Sequence, residues 1–140
     1  MPKSTFYNLS DEKKDRIFAA AMKEFSTRSF SEASLNQIIK NADIPKGSFY
    51  QYFDNKEDIY LYMIEVISKE KTEILSHVKG IDPDADVFEV IKHATREFLE
   101  QGREKPGYVE LGMRMELDNS EITMKIRKSS TEKFVKMVER

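Results

Sequence analysis

Hydrophobic residues recur at helical spacing along most of the chain, and no stretch shows the strict alternation that is typical of a strand. The first predicted helix follows Ser10, a residue type that caps helix N-termini, and its apolar stripe consists of Ile17, Phe18, Ala21, Met22 and Phe25. A longer pattern runs from Asn55 to Lys79, where Gly80 ends it. The sequence therefore predicts an all-α protein.

Two short helices are predicted between these longer ones, with almost no loop separating them. Ser34 and Gln37 form an S-x-x-Q capping box, which predicts a helix start at Ser34. Leu35, Ile38, Ile39 and Ala42 give that helix one apolar face. Pro45 cannot continue it but suits the first turn of a new helix, so the chain is expected to turn at Asp43 and Ile44.

The second short helix, from Pro45 to Phe53, is predicted to bury Phe49 and Phe53, which lie one turn apart. On a wheel of about 100° per residue, the outward side then holds Gly47, Tyr50 and Gln51, and Lys46 and Ser48 lie on its flanks. Glycine, hydroxyls and an amide are an unusual choice for a merely solvated face. They suit a surface that another molecule approaches closely and hydrogen-bonds.

Lys56 lies in the first turn of the next helix, where the helix dipole favours acidic residues such as Glu57 and Asp58. A lysine beside free backbone amides is a candidate phosphate clamp. The alternative interpretation is an ordinary solvated lysine, and the neighbouring polar face is what favours the clamp.

The remainder of the chain predicts more helices and few other features. Residues 1–9 are expected to be a disordered arm. Helices are predicted from Asp86 to a break at 102–107, from Tyr108 to Leu117, and after Ser120. Glu89, His93 and Glu97 share one helix face, but a hydrated polar face explains them better than a metal site does.

Composition excludes several classes of protein. The 140 residues carry a net charge of −2, which gives no global indication of nucleic-acid binding, and they include no cysteine, which excludes disulfides and thiolate metal sites. Since no apolar run is long enough for a signal peptide or a membrane span, a soluble cytoplasmic protein is expected. No catalytic constellation or phosphate loop is present, so we expect neither enzymatic activity nor a cofactor.

The run from Ala33 to Ile59 resembles the helix-turn-helix of TetR/AcrR-family transcriptional regulators, T-S-x-x-x-I-A-x-x-A-G-V-S-K-G-T-L-Y-x-H-F-x-x-K-E-x-L. The match includes Ala33-Ser34, Ile38-Ile39, Lys46-Gly47-Ser48-Phe49-Tyr50, Phe53 and Lys56-Glu57-Asp58-Ile59. Asp43 stands where the family usually has glycine in a left-handed turn. Pro45 replaces serine and Tyr52 replaces histidine.

The resemblance implies an N-terminal three-helix DNA-binding domain joined by a long helix to a helical ligand-binding and dimerisation domain. It divides the chain into an arm (1–10), the DNA-binding domain (11–71, with the motif at 34–53) and an incomplete effector domain (72–140). Similar proteins usually continue with two further helices that form the dimer interface, so the C-terminal part is expected to be missing.

The resemblance also implies a function, namely a repressor that binds a palindromic DNA operator as a homodimer and is released by a small-molecule effector. Ser34, Lys46, Tyr52 and Lys56 would hold phosphates, Gly47 would allow close approach, and Ser48, Tyr50 and Gln51 would face base edges. The expected effector cavity involves Tyr60, Met63, Ile67, Phe88, Ile91, Phe98, Tyr108 and Met113. The alternative is a helical protein-interaction module that does not bind DNA.

Overall fold

The computed structural model describes residues 2–78, 84, 86–105 and 107–139, and within these ranges the secondary structure is entirely helical. This confirms the all-α prediction. The helices are α1 (Ser4–Tyr7), α2 (Asp11–Thr27), α3 (Leu35–Asn41), α4 (Lys46–Tyr52), α5 (Lys56–Val78), α6 (Val87–Glu104), α7 (Tyr108–Leu117) and α8 (Glu121–Val138).

Helices α2, α3 and α4 and the first turns of α5 surround one hydrophobic core. The stripe of α2 supplies Ile17 and Phe25, α3 supplies Ile38, and α5 supplies Ile59 and Met63, all of them buried. Ser10 caps α2 through a hydrogen bond that its side chain accepts from the Lys13 amide. The sequence predicted this arrangement because capping and apolar periodicity are local signals.

The turn between α3 and α4 has the left-handed residue that the sequence indicated. Asp43 has a φ of 55°, which is unfavourable for most side chains but tolerated by aspartate. Pro45 is the N-cap of α4 rather than its first helical residue, with φ −63° and ψ 144°. An extended ψ at Pro45 separates the two helices, so α4 begins one residue later than predicted.

The capping box at the start of α3 forms only in part. Ser34 accepts the expected hydrogen bond from the Gln37 amide, at 3.2 Å. The Gln37 side chain, however, donates to Asn41 Oδ1, and the Ser34 amide donates to Glu24 Oε1 on α2 instead. A buried carboxylate on α2 thus replaces the second half of the predicted box.

The N-terminal segment corrects the expectation of a disordered arm. It forms the single turn α1, whose Phe6 is completely buried against the rings of Phe53 and Tyr62. The buried ring of Phe6 therefore anchors the arm to the core. The residues around Phe6 in the sequence do not indicate this contact.

The helices that follow α5 are joined to the hydrophobic core by α7, which packs against α2. Gly107 precedes α7 with a φ of 90°, and a Cβ there would lie 3.0 Å from Ser26 Oγ. Arg114 Nε donates to the Ser26 carbonyl at 2.7 Å.

The predicted break at 102–107 is too long, because α6 continues to Glu104. Among the helices in the described ranges, none has an apolar stretch long enough to cross a bilayer.

Candidate nucleic-acid interface

Helix α4 has one buried face and one open face. Phe49 and Phe53 are fully buried, whereas Tyr50 is 44% exposed and Lys46 and Gln51 are exposed as well. The two rings stack on each other with centroids 5.5 Å apart, so they fix the rotation of the helix about its axis. The open face is therefore the polar one that the sequence predicted.

Gly47, on the open face, has no structural reason to be glycine. Its backbone is helical, and among the described residues a Cβ built there would meet no atom within 4 Å beyond its own helical turn. Glycine in a helix is less favourable than alanine by about 0.5–1 kcal/mol. The small residue is thus a cost to the fold, and it leaves room for an external molecule to approach the backbone.

Two residues of α4 are half-buried. Ser48 lies on the flank of the open face, and Tyr52 packs its ring edge-on against Phe6 with centroids 6.4 Å apart. Ser34 is likewise half-buried at the start of α3, because its side chain caps that helix. These three residues are thus less accessible than Lys46, Tyr50 and Gln51, which are exposed.

Lys56 makes contacts within the protein that the sequence did not predict. Its Nζ donates to the carbonyls of Ala33 at 3.2 Å and Ser31 at 3.4 Å, and it lies 4.7 Å from the centre of the Phe30 ring. Because an ammonium group has three donors, one N–H remains for a further partner. Lys56 therefore ties the start of α5 to the loop before α3.

Glu24 is a site residue that the sequence analysis missed. It is buried, accepts a hydrogen bond from the Ser34 amide at 2.9 Å, and pairs with Arg28 Nε at 3.5 Å. The available signal was an acidic residue within the apolar stripe of α2, since unpaired carboxylates are rarely buried. Glu24 sets where α3 begins relative to α2.

This part of the chain is similar to known proteins. A family model described as "Bacterial regulatory proteins, tetR family" matches residues 17–63. The crystal structure of a TetR family transcriptional regulator from Chloroflexus aurantiacus J-10-FL is 31% identical with a TM-score of 0.72, covering 99% of this chain and 65% of that one. Residues 17–63 therefore form a helix-turn-helix region of the TetR/AcrR family of transcriptional regulators.

Curated relatives are similar only over the helix-turn-helix region. An uncharacterized HTH-type transcriptional regulator, YdgC, from Bacillus subtilis (strain 168) is 42% identical over 53 residues, 38% of this chain and 27% of that protein. The biofilm operon icaADBC HTH-type negative transcriptional regulator IcaR from Staphylococcus epidermidis is 38% identical over 52 residues, covering 37% of this chain and 28% of its own length. The match thus spans under a third of these two relatives.

A TetR-like regulator from Rhodococcus sp. RHA1, at 22% identity and a TM-score of 0.70, shares the fold over 92% of this chain. The matched family and the relatives named above are described as transcriptional regulators and not as enzymes, in agreement with the prediction for this part of the chain. Within the described residues, no three potential metal ligands converge. Glu89 pairs with Lys92, and His93 pairs with Glu97.

The residues predicted to line an effector cavity do not share one environment. Tyr60 and Met63 are buried in the core beneath the helix-turn-helix, and Ile67 and Tyr108 pack partly against it. Phe88, Ile91 and Met113 are 71%, 49% and 64% exposed. The side chain of Phe98 lies outside the described residues. The cavity stays a prediction.

Tyr108 has a defined polar partner. Its hydroxyl donates to Glu70 Oε2 at 3.0 Å, and Lys105 Nζ lies 2.8 Å from the same oxygen. Burial raises the pKa of Tyr108, and the hydrogen bond to the Glu70 carboxylate raises it further. These contacts join α5 to the segment that leads into α7.

Proposed function

We propose that this chain binds a palindromic DNA operator as part of a homodimer and represses transcription until a small-molecule effector releases it. The observation that carries the proposal is the orientation of α4, whose two phenyl rings are buried and whose opposite face presents Lys46, Gly47, Tyr50 and Gln51. Similarity to IcaR, which is named a negative regulator, favours repression. Two copies of α4 would enter successive major grooves about one helical turn, or a multiple of it, apart.

The open face of α4 suggests a division of roles among its residues. Gln51 would pair with adenine through its amide, Tyr50 would pack on a thymine methyl, and Ser48 would contact a base edge from the flank. Gly47 would bring the backbone close to the DNA. These contacts carry sequence information because only base edges distinguish one operator from another.

Phosphate contacts would surround this reading face. Lys46 is exposed at the start of α4, and Tyr52 and Ser34 are half-buried at the end of α4 and the N-cap of α3. Lys56 keeps one N–H after donating to the carbonyls of Ser31 and Ala33. Such contacts position the protein without reading sequence and make affinity depend on salt. A small basic footprint of this kind is compatible with the net charge of −2.

Effector control would act through the helices that follow the DNA-binding domain. We assign residues 11–71 to that domain, residues 1–10 to its arm and residues 72–140 to the effector domain. Helix α5 runs from one into the other, and α7 contacts α2 through the hydrogen bond from Arg114 to Ser26. An effector that binds better to an arrangement with altered α4 spacing would release the DNA, because ligands shift equilibria only by differential affinity.

Selection from a randomised duplex library tests the DNA-binding function. The purified protein should enrich a palindromic sequence, and failure to enrich any duplex would favour a protein-interaction module instead. Gln51→Ala should then relax the preference at one base pair of each half-site, at a cost of about 1–3 kcal/mol for the preferred base. Equal loss on every single-base variant of the operator would show that Gln51 reads no base.

A ligand screen tests the effector. Compounds that raise the thermal midpoint of the protein bind its folded state, and at least some of them should lower operator affinity. Stabilising compounds that leave DNA affinity unchanged would contradict effector control while leaving the DNA-binding proposal intact.

A further inference from the structure

The N-terminal arm contacts the carboxyl end of α4 through three consecutive backbone carbonyls. Lys3 Nζ donates to the Tyr50 carbonyl at 2.8 Å, the Lys3 amide donates to the Tyr52 carbonyl at 2.8 Å, and Thr5 Oγ1 donates to the Gln51 carbonyl between them. Lys3 and Tyr50 are 47 positions apart in the sequence.

These three carbonyls are the ones that α4 leaves without a helical partner. A helix ends with four unsatisfied carbonyls. In α4 the first of them, on Phe49, accepts from the Phe53 amide. The next amide, on Asp54, donates to Asp58 Oδ2 at 3.0 Å, so it does not return to the helix. The arm supplies the donors for the remaining three.

The arm also supplies the charge that the helix end favours. No basic residue lies in the last turn of α4, although a positive charge there stabilises a helix. Lys3 Nζ occupies this position and lies 3.0 Å from Asp54 Oδ1. Phe6 anchors the arm, because its buried ring contacts Phe53, the residue that ends α4.

We propose that Lys3 and Thr5 are positioning residues for DNA recognition, which cap the carboxyl end of α4 and thereby hold Tyr50 and Gln51 in reading geometry. The proposal rests on the proposed function. The two residues whose carbonyls are held, Tyr50 and Gln51, are those assigned to base edges. Since α4 is only seven residues long, fraying of its last turn would move both side chains. Lys3 acts through α4 and needs no phosphate contact.

The test replaces Thr5, which is uncharged, alone and together with Lys3, which is charged. Phe6 is left unchanged in every variant, so that the arm stays anchored. Thr5→Val removes the hydroxyl at nearly constant shape, and Thr5→Ser restores a donor. Lys3→Ala/Thr5→Val removes both side-chain caps. Lys133→Ala on α8 is the control for loss of one positive charge. Affinity is measured over a range of salt concentrations for the duplex that the wild-type protein selects, and amide hydrogen exchange is measured without DNA.

Thr5→Val should weaken binding by about threefold and the double variant by about tenfold, as expected for one and two lost hydrogen bonds. Thr5→Ser and Lys133→Ala should bind like the wild type, and the salt dependence of the double variant should keep its slope. In the free protein, exchange at the Tyr52 and Phe53 amides should quicken by about tenfold, while exchange in α2 stays unchanged.

Three results would overturn the proposal. A slope shallower by about 0.9 in the double variant would show that Lys3 contacts a phosphate directly. Faster exchange throughout the helices would reveal general destabilisation, and unchanged exchange at Tyr52 and Phe53 would show that the arm does not hold α4. If the wild type selects no duplex, the proposed function fails, and the exchange measurement still decides whether the arm caps α4.

Discussion

Replacing Gly47 by alanine should stabilise the fold and weaken DNA binding at the same time. Because a Cβ at this position meets no atom of the described residues within 4 Å beyond its own helical turn, the variant gains the helical preference of alanine, about 0.4–1 kcal/mol. For a chain of this size that corresponds to a rise of about 1–4 °C in the thermal midpoint. The added methyl would, however, occupy the space that the proposed DNA contact requires.

The loss of affinity follows from packing. Forcing one extra methyl into a close-packed contact costs about 1–3 kcal/mol, which is about five- to 150-fold in Kd. Calorimetric melting gives the stability and fluorescence anisotropy with the selected duplex gives the affinity. A Gly47→Ala protein that binds as tightly as the wild type would refute close approach at this position.

Gly112 provides a matched control on α7. In the part of the chain that the structure describes, a Cβ there also meets nothing within 4 Å outside its own helical turn. Gly112→Ala should therefore be stabilised by a similar amount and should bind DNA like the wild type. If both variants lose affinity equally, stiffening of the protein rather than contact at Gly47 explains the effect. If only Gly112→Ala is stabilised, the space around Gly47 is not open.

Three further results are expected. Asp43→Gly should be more stable than Asp43→Ala by about 1 kcal/mol in urea unfolding, because the φ of 55° disfavours a β-carbon; equal stabilities would contradict this. Lys56→Met should lose about 1–2 kcal/mol of stability with the hydrogen bonds of its ammonium and should lower the salt slope by about 0.9; an unchanged slope would leave Lys56 as an internal brace only. Burial raises the pKa values of Tyr60 and Tyr108, so above about pH 10 the unfolded chain loses protons that the native state keeps. The free energy of unfolding should therefore fall as pH rises above that value. In Tyr108→Phe the free energy of unfolding should fall less steeply with pH; identical slopes for the two proteins would refute a contribution from Tyr108.

The sequence by itself determined the helices after α1 and the face that α4 presents. Ser10 and Ser34 were predicted as caps, and each accepts a hydrogen bond from an amide three residues ahead. Phe49 and Phe53 lie one turn apart, so their burial fixes the opposite side of α4 regardless of what surrounds it. These signals are local, since helical geometry relates residues three and four positions apart.

Only the tertiary structure decided which distant groups meet. Lys56 reaches carbonyls more than twenty positions away, Glu24 replaces half of the box at Ser34, and Lys3 caps a helix nearly fifty positions along the chain. Periodicity likewise places Phe88 and Ile91 on one face of α6 without saying what covers that face. Long-range pairing depends on how helices pack, and the free energy of packing is shared among many side chains rather than encoded in any one segment.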